Sequence, residues 1–192
     1  MKNEGYGPAG KDRRIMRKLA ELDKEGKIGD LVCDFGSSFA PVSYPLVFHK
    51  RERAVLGIDI GLDVPSIDWY KTVYSRVLFV QGDVEELNHI MRKPEVLDLF
   101  SRAGKSPPIR FTTIICSDLL NYVDYKNVIR ISRANLARGG RIVISNMAEA
   151  GESELFEPKG VKRNSQLLAF LERCFAFEIE DHIPAFRDVA DS

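Results

Sequence analysis

The chain has 192 residues, with 28 Lys+Arg against 28 Asp+Glu and only three cysteines. That length suits one α/β domain with a sizeable core, and the balanced charge offers no basic excess to argue for a nucleic-acid partner. No apolar stretch approaches the roughly 18–20 residues of a membrane span, so no membrane partner is expected.

Residues 1–10, "MKNEGYGPAG", are polar and glycine-rich, without the apolar core of a signal peptide. They read as a mobile arm before a single domain over 11–192. Over 11–26, Ile15, Leu19 and Leu22 recur at helical spacing, and Gly26 supplies a stop. Lys11, Arg13, Arg14, Arg17 and Lys18 then form a solvated helix face. "GDLVCDFG" predicts a strand at 30–34. Pro41 opens a helix over 41–50, where a proline is tolerated at the first position. "RAVLGIDI" (53–60) and "SRVLFVQGD" (75–83) are two further strands, each ending in an acid. Residues 85–103 read as a helix broken near Pro94. "FTTIICSD" (111–118) is a fourth strand, 124–137 a helix, and "RIVISN" (141–146) a fifth strand. A helix over 164–174 and a sixth strand over 176–183 complete the pattern.

Strands alternate with helices, and most strands are continuous apolar runs. Such strands are covered on both faces, which predicts a doubly wound, mostly parallel α/β sheet. Ligands of such sheets bind beyond the carboxyl ends of the strands, where strand order reverses. Cys33, Cys116 and Cys174 lie at wide spacing with no metal-ligand pattern, and read as reduced thiols of a cytoplasmic protein.

The strand ends carry the chemistry. After strand 1 stand Asp34, Gly36, Ser37, Ser38, Phe39 and Ala40. Gly36 allows a tight turn and a close backbone approach to a ligand. Asp59, after strand 2, can accept from a ribose diol. Asp83 and the N–H of Val84, after strand 3, can read the amine and a ring nitrogen of adenine. Ser117 and Asp118 stand at the mouth after strand 4.

In this order, "LVCDFGSSFA", "VLGIDI", "VQGDV", "FTTIICSDLLNYVD" and "LARGGRIVISN" resemble the class I S-adenosylmethionine-dependent methyltransferases. The resemblance covers about residues 28–147. It implies a Rossmann-like methyltransferase fold with strand order 3-2-1-4-5-7-6, whose last strand here is short or missing. It implies S-adenosylmethionine as cofactor, held by Asp34, Gly36, Ser38, Asp59, Ile60, Asp83, Val84 and Ser117. Asp34, Gly36, Ser38 and Ala40 match the family's Asp-x-Gly-x-Gly-x-Gly loop, with two glycines replaced. Gly139 and Gly140 match the structural turn before strand 5. The acceptor is expected to be a small molecule, methylated by in-line transfer. It would be held by the N-terminal helix, the loops 118–125 and 146–163, and a partner protomer in a homo-oligomer. Asp118 and Tyr122 are the weak candidates for a base, and Asp118 can equally cap the helix that follows. His49 and His182 read as satisfied surface or core residues, and Phe39 and Tyr44 as core.

Two rival readings remain at this level. A nicotinamide dehydrogenase needs Gly-x-Gly-x-x-Gly, which fails after the first glycine. A methyltransferase-like scaffold or partner subunit without catalysis fits the degenerate loop and the short C-terminus.

Overall fold

A computed structural model describes residues 10–37, 43, 46–47, 50, 52–61, 75–146 and 159–175, with side chains from Ile15 onward. Helix α1 (Gly10–Lys24) leads into β1 (Leu31–Phe35), and β2 is Ala54–Asp59. Strand β3 (Val77–Gln81) precedes a single 3-10 turn (Val84–Glu86) and two short helices, α2 (Leu87–Ile90) and α3 (Pro94–Arg102). Then come β4 (Phe111–Ser117), α4 (Tyr125–Asn135), β5 (Leu136–Ser145) and α5 (Asn164–Cys174).

The five strands form one sheet, ordered β3-β2-β1-β4-β5, and every pairing is parallel. The doubly wound prediction therefore holds over the described residues. The sixth strand expected at 176–183 lies outside them, as do the arm 1–9 and most of the helix expected at 41–50. The order reverses between β1 and β4, which places the cleft of such a fold at their carboxyl ends.

Strand alternation sorts the core into two layers. Cys33, Phe35, Leu56, Ile58, Ile114 and Cys116 face α3 and α4, against Val96, Leu99, Phe100, Val128 and Ile129. Val32, Val55, Val77, Phe79 and Ile115 face α1, against Ile15, Leu19 and Leu22. Each fully buried Leu, Ile, Val or Phe of these layers contributes about 1.5–3 kcal/mol by leaving water. Burial pushes both strand thiols up, Cys116 to about 12, so neither ionises near neutral pH.

Three element boundaries differ from expectation. The break near Pro94 is complete: Pro94 is the first residue of α3, where its missing N–H costs nothing. Strand β3 is trimmed to Val77–Gln81, because Asp83 turns its side chain back to cap the next turn. Strand β5 begins at Leu136 instead of 141. Leu136 is already extended (φ −83°, ψ 139°) and pairs with Phe111, whereas Arg141 pairs with Thr113, so an irregular loop carrying Gly139 at φ +75° is inserted between them.

A buried cation ties the lower end of the α1 layer together. Arg53 is fully buried; its guanidinium grips the Asp23 carboxylate at 2.6 and 3.1 Å and donates to the carbonyls of Ile28, Gly29 and Leu46. All five guanidinium donors are thereby used or shielded, the condition under which a buried charge is tolerated.

Candidate functional site

Gly36 follows β1 at φ +73°, a conformation that a side chain strains. The N–H groups of Gly36 and Ser37 both donate to the carbonyl of Ile58, at 2.8 and 3.2 Å, which folds the turn across the end of β2. A Cβ at Gly36 would lie 3.3 Å from Leu119, so this turn touches the segment after β4. Both the backbone angle and this neighbour require the glycine that the sequence singled out. Ser38 and Ala40, the two replaced glycines, lie outside the described residues, with Phe39, Tyr44, His49 and His182.

Asp34 lies beneath the cleft. Alternation within β1 turns it to the α1 face with Val32, and it is fully buried. Its Oδ2 accepts from the Ser43 hydroxyl at 2.5 Å and the Ser43 N–H at 3.2 Å, while Oδ1 has no partner. Burial is the main reason its carboxyl is raised from 3.8 to about 6; the two Ser43 bonds pull the other way, and the Asp59 charge adds a smaller push up. Asp34 therefore anchors the chain that returns after the glycine turn, through a partner that the sequence does not advertise.

The ends of β2 and β3 meet. The Gly82 N–H donates to the Asp59 carbonyl at 3.0 Å, and Gln81 Nε2 donates to the Ile60 carbonyl at 3.1 Å. Asp59 is half-buried, and its Oδ1 accepts from the Gly61 N–H at 2.8 Å. Ile60 beside it is 73% exposed. Asp83 is exposed, and its Oδ1 accepts from the Glu85 N–H at 2.8 Å, which orients the turn opened by buried Val84. The first N–H groups of such a turn have no intrahelical acceptor and point outward.

At the end of β4, Ser117 pairs with Ser145 of β5, and the Asp118 N–H donates to the Ser145 carbonyl at 2.7 Å. Asp118 sits at φ +52°, a region an aspartate tolerates better than most residues. It does not cap the next helix. Asp124 does, with its carboxylate accepting from the Asn127 N–H at 3.2 Å. Between them, Asn121 is fully buried and donates to the Val161 carbonyl at 2.7 Å, while Tyr122 is 45% exposed. Glu85, which the sequence reading passed over, bridges two loops: its carboxylate accepts from the Asp124 N–H at 3.3 Å and from Asn127 Nδ2 at 2.5 Å.

The strand ends thus present Asp59, Ile60, Asp83 and Val84 on one side and Gly36, Ser117, Asp118 and Tyr122 on the other. Among the described residues no group of His, Cys, Asp or Glu could hold a metal ion, and no helix is long and apolar enough to cross a membrane.

The chain matches no protein-family model and no curated protein sequence. Its fold does match solved structures. One is the N-methyltransferase NodS from Bradyrhizobium japonicum with S-adenosyl-L-homocysteine, at 15% identity and TM-score 0.52, over 71% of this chain and 62% of that one. Another is 1,6-didemethyltoxoflavin-N1-methyltransferase from Burkholderia thailandensis, at 15% identity and TM-score 0.61, over 86% and 67%. A third is magnesium protoporphyrin IX methyltransferase from Synechocystis with S-adenosylmethionine bound, at 17% identity and TM-score 0.55, over 88% and 74%. Of the first two structures matched, the chain spans only 62% and 49% of the partner's length. Together with the strand order, these likenesses give the chain the class I methyltransferase fold.

Proposed function

We propose that the chain binds S-adenosylmethionine across the carboxyl ends of β1–β4 and transfers its methyl group to a small molecule. The observation that carries this reading is the joined end of β2 and β3. There a carboxylate (Asp59), an outward apolar side chain (Ile60) and a carboxylate-capped turn (Asp83–Val84) stand side by side, held by two cross-strand hydrogen bonds. Asp59 suits the ribose hydroxyls, Ile60 one face of a purine, and Asp83 with the Val84 N–H its amine edge. The positive φ at Gly36 keeps the backbone bare where the rest of the cofactor would pass. The residues present therefore fit the group.

When bound, the cofactor supplies an activated methyl on a sulfonium, with its leaving group already attached. The chain's own part is to hold and orient. Charge-assisted hydrogen bonds of the Asp59 kind contribute about 1.5–3 kcal/mol each, and a fixed, dry approach is worth roughly 7–11 kcal/mol in favourable cases. Asp118 and Tyr122, which follow β4, remain the candidates to take a proton from an acceptor that carries one. A second copy of the chain would complete the acceptor side. The scaffold reading draws its support from Leu119, which stands where a side chain at Gly36 would point: a Cβ there would lie 3.3 Å from it.

Thermal melting in S-adenosylhomocysteine separates the two readings. Ligand at about 100 times its dissociation constant stabilises by about 2.7 kcal/mol. Asp59→Ala should abolish that shift while the protein stays folded. No shift at millimolar ligand would overturn the cofactor assignment and leave the scaffold.

A further inference from the structure

Chain-wide neutrality conceals a separation of charge. Between Gly104 and Ser145 there are seven cations and two acids, and both acids, Asp118 and Asp124, lie at the mouth. Six of the cations gather at the opposite end of the sheet. Lys105 and Arg110 lie in the loop that enters β4, Arg130 and Arg133 on the last turns of α4, Arg138 in the loop before the regular part of β5, and Arg141 on β5 itself. All six are exposed, and none has a carboxylate partner among the described residues. Acids are present at that end too: Asp30 at the start of β1, one strand away from β4, and exposed Glu172 on the last turn of α5.

Helix electrostatics account for part of this. A cation in the last turn complements the negative end of the helix, which explains Arg133. Nothing comparable explains Lys105, Arg110, Arg138 and Arg141. Those four make no ion pair among the described residues and add like-charge repulsion at one end, so their placement points outward.

We propose that this basal face binds a nucleic-acid phosphate backbone, at the end of the sheet opposite the methyl-transfer site. Five of the six cations are arginines, whose planar forks match phosphate oxygens better than an ammonium does. Arg130 lies over the Phe170 ring at 5.9 Å and Arg133 over the Phe175 ring at 5.8 Å; both rings are partly buried against the core and hold these two guanidinium groups in place. A lipid surface fits less well. Membrane-lying faces set large apolar side chains among their cations, whereas the exposed ones described here are Ile60, Leu97 and Tyr122, none of them on α4, β5 or the loop before β4.

The proposal does not depend on the methyl-transfer reading, and its test is separate from it. Fluorescein-labelled oligouridylate is titrated with the full chain, and anisotropy is followed over a range of salt. Six phosphate contacts on a single strand predict a slope of about −4 in log K against log salt, or about a 300-fold loss of affinity between roughly 50 and 200 mM. Arg138→Gln with Arg141→Gln changes two exposed side chains that hold no carboxylate partner among the described residues, so the melting temperature should stay put. The slope should fall in size by about 1.4. Lys105→Gln with Arg110→Gln should do the same. S-adenosylhomocysteine, where it binds, should not compete with the oligonucleotide. Absence of binding at low salt, or an unchanged slope in both double variants, would overturn the proposal. Equal affinity for phosphatidylserine vesicles or polyglutamate would overturn it in favour of a lipid or an acidic protein.

Discussion

Asp34→Asn tests how the floor of the cleft is built. Asp34 is wholly buried, with one oxygen held by Ser43 and the other unmatched. Its folded carboxyl titrates at about 6, against 3.8 for an ordinary aspartate, with burial as the first cause. The folded protein thus holds this proton more tightly than the unfolded chain does. Stability contributed here is fully present below 3.8 and is lost as pH rises through about 6. Above that window the ionised carboxylate costs about 3 kcal/mol. Asparagine keeps an acceptor for Ser43 and removes the charge. It also sets an NH2 where Oδ1 has no partner, which takes back about 1–2 kcal/mol. The variant should gain about 1–2 kcal/mol at pH 8, roughly 2–8 °C in Tm, and no advantage at about pH 4. Urea unfolding of both proteins at those two pH values measures the difference directly. An equal loss at both would show that the carboxylate is ionised and well paired in the fold, and that its burial costs nothing.

Four further outcomes follow from the same coordinates. Gly57→Ala would place a Cβ 2.1 Å from the Phe79 ring on the adjoining strand; overpacking of that kind should cost about 1–3 kcal/mol in chemical denaturation. Asp23→Ala strips the buried Arg53 of its carboxylate and should cost about 3–5 kcal/mol, read as a lower urea midpoint. Iodoacetamide on the native protein should modify Cys174 well before Cys33 and Cys116, by peptide mass, since the latter two are fully buried thiols. Glu85→Gln should loosen the join between the turn after β3 and the start of α4, seen as faster amide exchange at Asp124 and Asn127 with the sheet core unchanged.

The sheet was legible because its strands are apolar runs that lie between helices, and such runs have few other uses. The start of β5 was not. "LARGG" ends a helical stretch and reads as a turn, and only pairing with Phe111 makes Leu136 a strand residue. Strand-end acids in chain order marked Asp59, Asp83 and Asp118 as candidates, and all three stand at or just after the carboxyl ends of strands. The order could not tell which of them faces a ligand. Asp34 sits within β1, where alternation sends it down to the α1 layer, and its partner Ser43 lies nine residues away across a turn. Glu85 and Asn121 reach partners 39 to 42 residues distant, contacts that no local pattern encodes. Arg53 looks like an ordinary strand-leading charge until the fold closes three segments around it, at Asp23, Ile28–Gly29 and Leu46.

The charge layout bears on which cofactor the cleft favours. Asp59, Asp83, Glu85, Asp118 and Asp124 all lie at the carboxyl ends of the strands or on the segments just after them; Lys159 offsets Asp124 at 3.6 Å and Lys93 reaches the Gln81 carbonyl, so acids are in excess there without being alone. Clefts lined by one sign of charge raise the local concentration of ligands of the opposite sign. A dinucleotide brings a pyrophosphate, whose two negative charges would face those carboxylates with only one glycine turn to cradle them. A sulfonium with an ammonium group brings positive charge to the same place. On the proposed reading, these acids would disfavour a pyrophosphate beyond what the replaced glycines already do. Their neutralisation offers a direct check: Asp59→Asn with Asp83→Asn should weaken S-adenosylhomocysteine binding by calorimetry without admitting NAD. A gain of NAD binding in that variant would show that the glycine turn, and not the acids, had been the barrier.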